Sequence, residues 1–258
     1  MLVDSHCHLD RLELAPFDNS FQNLLETTRA AGVGHMLCVS IDLESYPAML
    51  ALVENEADIS ISVGVHPNDR DRREPGPEEL ARLALHEKNV AIGETGLDYF
   101  RSEGDQDWQR MRFRRHIAAA RLCDKPLIIH TRAAKEDTLR IMREEGADSV
   151  GGVMHCFTED WDMARQALDL GFYISFSGII TFNSAADLRD VAKKVPQERL
   201  LIETDSPYLA PIPHRGKSNI PAYVGHVADK VAELRGLTRE QVEALTTDNF
   251  NRLFLTEK

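Results

Sequence analysis

The chain has 258 residues, of which 43% are hydrophobic and 28% are charged, and its formal net charge is -12. This length suits one large α/β barrel or two ordinary domains, and it allows an extensive core without disulfides or a structural metal. The acidic balance argues against broad adhesion to nucleic acid, although an enzyme that grips one or two phosphates through metal ions needs little basic surface.

The first residues, MLVDSHCHLD, lack the basic and long apolar regions of a secretory signal. No run approaches the roughly 18 apolar residues that a membrane-spanning helix needs. The four cysteines, Cys7, Cys38, Cys123 and Cys156, form no CxxC pair and are typical of reduced thiols. We therefore expect a cytoplasmic protein without membrane association, and nothing in the sequence indicates an obligate protein partner.

Short apolar runs alternate with amphipathic helical patterns along the whole chain. The strand pattern occurs at Leu2–Leu9, Gly34–Ile41, Ile59–His66, Val90–Leu97, Pro126–Thr131, Gly152–Phe157, Phe172–Gly178 and Leu200–Asp205. The helical pattern occurs at Phe17–Ala31, Pro77–Glu87, Asp107–Leu122, Glu136–Glu145 and Asp160–Leu170, and as two helices separated by Gly236 between Pro221 and Phe254.

Eight such units in about 250 residues predict an α/β protein with a single (β/α)8 TIM barrel, in one domain over residues 1–258. An open doubly wound sheet is the alternative. That fold usually carries a glycine-rich turn after its first strand, and none follows Leu9.

The carboxyl ends of the predicted strands carry the residues of chemical interest, because barrel enzymes build their sites there. His6 and His8 stand two residues apart on a strand, so both imidazoles can enter the barrel and bind one metal. Cys7 then points outward and is interpreted as a packing residue, as is Cys156 beside His155. On local evidence alone, an ordinary polar strand end is an equal alternative for His6 and His8.

Glu94 ends the fourth predicted strand in an apolar, glycine-flanked run, where an unpaired carboxylate would be costly to bury. One carboxylate can bridge two cations and hold them about 3.5–4 Å apart. His130 and His155 can complete the second metal, and Asp205 can complete the first. Imidazole with carboxylate suits zinc, manganese, iron or cobalt.

The segments DSHCHLD, GVHP, GETGLDYF, IIHTR, MHCFT, GFYISFSG and ETDSPYLAPIPHRGK, in this order, resemble the TatD family of metal-dependent hydrolases within the amidohydrolase superfamily. The resemblance runs from residue 3 to TTDNFNRLF near the end of the chain. It implies two divalent cations per subunit, zinc or manganese, magnesium or iron in the cell. The first would be bound by His6, His8, Glu94 and Asp205, and the second by Glu94, His130 and His155.

Many relatives bridge their metals with a carboxylated lysine, whereas this chain has Glu94 in that place. The resemblance also implies a deoxyribonuclease that removes nucleotides from 3′ ends. Two cations would activate a water for in-line attack on a phosphodiester. Asp205, both a ligand and a proton acceptor, is the candidate to orient that water, so Glu94 and Asp205 are the predicted catalytic carboxylates.

Six further residues are candidates for lesser roles. Arg132 is a candidate phosphate clamp, with a surface salt bridge as the alternative, and His66 a candidate hydrogen-bond donor to the same phosphate. Glu203 lies one layer below Asp205 and is expected to support a metal ligand. His214 and Arg215, with Lys217, stand in a Pro- and Gly-rich loop that either binds phosphate or is a solvated linker.

Tyr99 and Phe100 follow the fourth strand and could stack on a base, although packing at the rim is the better interpretation. The expected substrate is therefore the end of a nucleic acid, preferably single-stranded, of which few nucleotides are contacted.

Two other functional classes remain open at this stage. A carbonyl- or ester-directed hydrolase, such as an aminoacyl-tRNA deacylase, would use the same ligands, because a metal-activated water attacks carbonyl carbon as readily as phosphorus. A non-enzymatic metal-binding or scaffold protein gives no reason for a bridging carboxylate together with Asp205.

Overall fold

The structure is a computed structural model, and it describes residues 1–68 and 70–256. Eight parallel strands form one sheet in which each strand pairs with the next along the chain. The strands are β1 (Leu2–Cys7), β2 (Val33–Cys38), β3 (Ile59–Val63), β4 (Asn89–Asp98), β5 (Leu127–Arg132), β6 (Gly152–Met154), β7 (Phe172–Phe176) and β8 (Leu200–Ile202). The predicted (β/α)8 barrel is confirmed.

The sheet closes into a barrel where the chain beyond β8 meets β1. The backbone N–H of Asp205 donates to the carbonyl of His6 at 2.9 Å, and that of His8 donates to the carbonyl of Ser206 at 2.8 Å. Below this seam the buried carboxyl group of Asp4 accepts a hydrogen bond of 2.8 Å from the backbone of Thr204. The seam therefore holds three predicted metal ligands, His6 and His8 on one side of it and Asp205 on the other.

Helices alternate with the strands and cover the outside of the barrel. They are α1 (Phe21–Ala30), α2 (Tyr46–Val53), α3 (Pro77–Leu83), α4 (Asp107–Cys123), α5 (Lys135–Glu144), α6 (Trp161–Asp169), α7 (Ala186–Lys194), α8 (Val224–Arg235) and α9 (Arg239–Phe250). The sequence analysis leaves α2 and α7 unassigned. Gly236 ends α8 in the left-handed conformation (φ 63°), and Thr238 begins α9 with a capping box.

Six strands end two or three residues earlier than the sequence predicts; these are β1, β2, β3, β6, β7 and β8. His8, His66, His155 and Asp205 consequently lie just beyond their strands, in loops that turn over the barrel mouth. Asp205 has φ 57° and Cys156 has φ 43°, which an extended strand does not allow. The turn aims the neighbouring side chains inward.

The interior of the barrel is solid at its amino-terminal end. Small and medium apolar side chains from alternate strand positions fill it, and Phe250, Leu253 and Phe254 from the end of the chain pack against them. A second, larger apolar cluster lies between the strands and the helices. Access to the interior is therefore from the carboxyl ends of the strands, where a barrel builds its site.

None of the helices in the described part of the chain is both long and apolar enough to cross a bilayer. All four cysteines are free thiols.

Candidate metal centre

The carboxylate of Glu94 lies at the middle of the barrel mouth and is 2% exposed. Its Oε2 atom is 3.4 Å from Nε2 of His6 and 3.9 Å from Nε2 of His8. Its Oε1 atom is 2.8 Å from Nε2 of His155 and 3.3 Å from Nδ1 of His130. Each oxygen of one carboxylate therefore faces a different pair of imidazoles, as a bridging ligand requires.

Asp205 completes the group on the Oε2 side of Glu94. Its Oδ1 atom is 3.4 Å from Nε2 of His8 and 3.6 Å from Nε2 of His6, and the two Nε2 atoms are 3.3 Å apart. These separations between the ligand atoms of His6, His8 and Asp205 are ones that a single cation can span.

Both central carboxylates are ionised at neutral pH despite their burial. Burial would raise the pKa of Glu94, but His155, His66 and His130 hold it well below its usual range. Burial likewise opposes the ionisation of Asp205, but the neighbouring His8 and His6 lower its pKa. The site thus concentrates negative charge among imidazoles, which favours cations.

The second ring nitrogen of two of these imidazoles is engaged in a way that fixes the tautomer. His8 donates from Nδ1 to the carbonyl of Val39 at 2.9 Å, and His155 donates from Nδ1 to Oε1 of Glu203 at 3.2 Å. The Nε2 atoms of the neutral rings therefore carry lone pairs, and these point toward the centre.

A cation fits this centre because the facing atoms are acceptors. Nε2 of His155 is buried and has no hydrogen-bond partner among the described residues, although Oε1 of Glu94 lies 2.8 Å away. Two lone pairs at that distance repel unless a proton or a metal ion lies between them. In the metal-free protein the proton takes this place, because Glu94 and Glu203 raise the pKa of His155 well above its usual range against the effect of burial.

Asp98 is a residue of the site that the sequence analysis missed. Its Oδ2 atom accepts a hydrogen bond from Nε2 of His130 at 3.2 Å, so that Nδ1 of His130 is free to face Glu94. A sequence signal existed. Glu94, Gly96 and Asp98 alternate on β4 and so share one face of the strand. Gly96 between them has no side chain because a Cβ there would lie 2.0 Å from the carbonyl oxygen of His130.

His66 lies closer to the centre than its predicted role requires, with Nε2 3.2 Å from Oε1 of Glu94. Its Nδ1 accepts a hydrogen bond of 3.0 Å from the backbone N–H of Asn68, so the proton is on Nε2. The ring therefore presents a donor where the ligand imidazoles present lone pairs. Asn68 also donates from its side chain to Asp98 at 3.0 Å, which links His66 to the residue that orients His130.

Glu203 lies under the centre, fully buried, where the sequence analysis expects it. Its Oε1 atom accepts hydrogen bonds from Nδ1 of His155 and from the backbone of Cys156 at 2.8 Å. Its Oε2 atom and Nδ1 of His6 are both buried without a partner among the residues described. One carboxylate thus supports the imidazole layer from below.

The predicted phosphate contacts lie around the mouth, Arg132 at the end of β5 and His214 and Arg215 in the loop after β8. The guanidinium of Arg132 sits 4.0 Å over the ring of Phe100, and that of Arg215 sits 4.1 Å over the ring of Phe182. His214 stacks on Tyr223 with the ring centroids 3.8 Å apart. Among the residues that the structure describes, Arg132 does not form the salt bridge that was its alternative.

Tyr99 and Phe100 differ in their environment. The Tyr99 hydroxyl donates to Asp137 at 2.5 Å and accepts from Arg110 at 3.1 Å, so this ring packs into the rim as expected. Phe100 is 67% exposed.

Cys7 and Cys156 are thiols that face away from the centre. Cys7 packs in the apolar layer outside the barrel and contacts the carbonyl of Leu37, and Cys156 contacts the hydroxyl of Ser177 at 3.3 Å. Burial raises the pKa of both thiols well above the usual value. Neither is therefore available as a thiolate ligand.

Comparison with known proteins adds to this geometry. A family model described as TatD related DNase matches residues 3–255. The uncharacterized metal-dependent hydrolase YcfH of Escherichia coli K12 is 50% identical over 254 residues, which are 98% of this chain and 95% of that protein. The 3'-5' ssDNA/RNA exonuclease TatD of Klebsiella pneumoniae is 31% identical over 94% of this chain and 95% of its own. Among solved structures, the TatD homologue YJJV from E. coli K12 superposes with a TM-score of 0.89 at 28% identity, covering 99% of this chain and 98% of that one.

Proposed function

Because this chain belongs to the TatD-related DNase family and is a metal-dependent hydrolase, we propose that it is a deoxyribonuclease that removes nucleotides from the 3′ ends of single-stranded DNA. The reaction is the hydrolysis of the terminal phosphodiester bond. The Klebsiella relative is named as a 3'-5' exonuclease on single-stranded DNA and RNA, and this supports the choice of substrate.

The observation that carries the proposal is the double orientation of Glu94. Its two oxygens face two separate sets of ligand atoms, so His6, His8 and Asp205 would hold one divalent cation and His130 and His155 the other, with Glu94 between them. Two such cations supply Lewis acidity and a water activated for attack on phosphorus.

Three side chains of the mouth have distinct tasks in this reaction. The side chain of Asp205 is 14% exposed, against 3% for Glu94, so this ionised carboxylate is the one that reaches the open mouth and accepts the proton of the attacking water. His66 donates from Nε2 to a non-bridging oxygen of the phosphate. Arg132, two residues after His130, binds the same phosphate or its neighbour.

The shape of the barrel favours an end over the middle of a strand. Only the carboxyl-terminal mouth is open, and the -12 net charge gives no long basic track for a duplex. His214 and Arg215 extend the phosphate contacts from the loop after β8. We place the reaction in the cytoplasm, in keeping with four free thiols.

The test is digestion by metal-stripped protein to which zinc, manganese or magnesium is restored singly. We expect release of mononucleotides from the 3′ end of a linear single strand, slower digestion of a blunt duplex, and no cutting of a closed single-stranded circle. Efficient cutting of the circle would contradict the dependence on an end. Release of an amino acid from aminoacylated RNA, with all three DNAs intact, would identify a carbonyl-directed hydrolase instead.

Glu94→Gln supplies the control for the bridge. An amide cannot offer two anionic oxygens, so this variant is expected to lose at least one equivalent of metal and most of its turnover while its circular dichroism spectrum is unchanged. Full metal content with wild-type turnover would remove Glu94 from the bridging role.

A further inference from the structure

The exposed aromatic side chains of this protein are confined to the barrel mouth. Among the residues that the structure describes, two large aromatic side chains are exposed, Phe100 at 67% and Tyr208 at 52%. Phe100 follows β4 in the loop before α4, and Tyr208 follows β8 three residues after Asp205. Two rings open to solvent at the mouth suit a ligand with flat faces that stack on them.

Tyr208 is adjacent to the metal centre. Its ring packs edge-on against the ring of His8, with centroids 6.1 Å apart and an interplanar angle of 67°. The backbone of Tyr208 is held on both sides, because its N–H donates to the carbonyl of Asp205 at 2.9 Å and its carbonyl accepts from Asn219 at 2.6 Å. The ring is thus positioned firmly while much of its surface is open to solvent.

Phe100 stands on the other side of the mouth. In a closed barrel of eight strands, β4 and β8 lie opposite each other; Glu94 lies on β4, and Asp205 lies in the loop just after β8. Phe100 is fixed through Asp98, whose Oδ1 atom accepts its backbone N–H at 3.0 Å. The guanidinium of Arg132 covers one face of the Phe100 ring.

Two arginines of the mouth rest on aromatic rings. Several arginines elsewhere are paired with carboxylates, for example Arg29, Arg114 and Arg140, whereas Arg199, like the two at the mouth, lies over a ring. Arg132 and Arg215 form no such pair with any carboxylate in residues 1–68 and 70–256, and each rests on a phenylalanine ring instead. An unpaired guanidinium beside an open ring suits a nucleotide, which offers both a phosphate and a base.

We propose that Tyr208 and Phe100 are base-stacking platforms that hold the two nucleotides on either side of the scissile phosphate. This inference rests on the proposed function and names the part of the nucleic acid that the mouth recognises. One base stacks on Tyr208 and the adjoining base stacks on Phe100, so the phosphate between them is centred over Glu94. Stacking accepts any base, and it requires bases that are not paired, which selects single-stranded ends.

The experiment is a double-mutant cycle in which removal of an aromatic ring from the protein is combined with removal of a base from the oligonucleotide. Single-stranded oligonucleotides carry an abasic site at the terminal or at the penultimate 3′ position, and kcat/KM is measured for the wild type, Tyr208→Ala and Phe100→Ala. Removal of a contacted base is expected to cost the wild type between about 5-fold and 150-fold. In each alanine variant, kcat/KM should no longer fall when the base is removed at one of the two positions. The insensitive position should differ between Tyr208→Ala and Phe100→Ala.

Two further variants separate stacking from a structural role. Tyr208→Phe keeps the ring and should retain the sensitivity to base removal that Tyr208→Ala loses. Leu85→Ala is the control with wild-type activity, because it removes an exposed apolar side chain (75% exposed) that precedes β4 and so lies away from the mouth. Binding is followed independently by the fluorescence of 2-aminopurine placed at the same positions in a phosphorothioate-protected strand. Stacking on Tyr208 should quench it, and Tyr208→Ala should abolish the quenching.

Equal costs of base removal in the wild type and in both alanine variants would overturn the inference, as would loss of activity in Tyr208→Ala that is the same on intact and abasic strands. Either result, with rapid digestion by the wild type, leaves the proposed nuclease function standing. Failure of the wild type to bind or cut any oligonucleotide would instead contradict the nuclease function itself.

Discussion

Asp98 is the residue whose hydrogen bonds link the two parts of the mouth. Its Oδ2 atom accepts from His130 and from Asn68, and its Oδ1 atom accepts from the backbone of Phe100 and of Arg101. These donors hold its pKa far below the usual range, although burial opposes this. A permanently ionised Asp98 keeps the proton on Nε2 of His130 and the lone pair on Nδ1, which faces Glu94.

Asp98→Asn is therefore expected to weaken metal binding without unfolding the protein. An amide can satisfy His130 or Asn68 but lacks the charge that stabilises the tautomer, and loss of such a partner costs about 10-fold to 100-fold in metal affinity. Competition with a chelator of known affinity measures the change. Glu203→Gln, which acts in the same way on His155, is the matched variant. Unchanged affinity in both would show that these carboxylates do not orient the imidazoles.

At the scale of one element, α4 is joined to the end of β3 through a buried histidine. Nε2 of His116 accepts the backbone N–H of Val65 at 3.0 Å, and its Nδ1 donates to the carbonyl of Arg112 at 2.8 Å. Both bonds require a neutral ring. Burial lowers the pKa of His116 from 6.5 to about 4.

This lowered pKa predicts how stability depends on pH. The unfolded chain binds a proton at His116 near pH 6.5 but the folded chain does so only near pH 4. The neutral ring thus makes its full contribution to the free energy of unfolding above pH 6.5. This contribution falls as the pH drops from 6.5 to 4, and it amounts to about 3 kcal/mol at most. Denaturant unfolding should show a shallower loss of stability over this interval for His116→Gln than for the wild type.

His86→Gln, in the half-buried loop after α3, is the control and should keep the wild-type slope. The same slope in His116→Gln as in the wild type would mean that other groups cause the acid sensitivity.

The sequence predicts elements better than it predicts their ends. Alternation and apolar runs locate all eight strands, since a strand buried on both faces is easily seen. The segment YPAMLALV, which forms α2, has no polar face and so gives no helical pattern. The ends of the strands are predicted wrongly for another reason. Beyond Met154 and Ile202 the backbone leaves the sheet, so that alternation no longer decides the direction of His155 and Asp205.

Within the site, the residue types indicate the candidate metal ligands. The hydrogen-bond partners that those ligands find across the barrel cannot be predicted from one sequence. His6, His8, Glu94, His130, His155 and Asp205 all converge at the mouth. The pairing of Asn68 with both His66 and Asp98 joins three separate loops, and no local spacing encodes it. The proton on Nε2 of His66 follows from that pairing alone.

At the scale of the whole molecule, charge limits how nucleic acid is held. With a net charge of -12 and two unpaired arginines at the mouth, few phosphates are neutralised by side chains. For two phosphate contacts to a single strand, the slope of log affinity against log salt is about -1.4. Anisotropy of a labelled strand across a salt series measures it, and Arg132→Ala should lower its magnitude by about one half.

Arg140→Ala removes a surface arginine that is paired with Asp137 and Glu144, and its slope should equal that of the wild type. A slope steeper than about -4 would require more phosphate contacts than this mouth supplies.

The barrel floor is closed by Phe250, Leu253 and Phe254, and this has a consequence for the exonuclease reaction that we propose. A strand cannot be threaded through the barrel as through a tunnel, because the interior below the imidazole layer is filled with side chains. In the proposed reaction, the shortened strand and the released nucleotide must both leave through the carboxyl-terminal mouth of the barrel. Each round of cleavage therefore ends with release of the strand through the mouth by which it entered. Removal of the next nucleotide requires the strand to bind again, because the strand cannot slide on through the barrel.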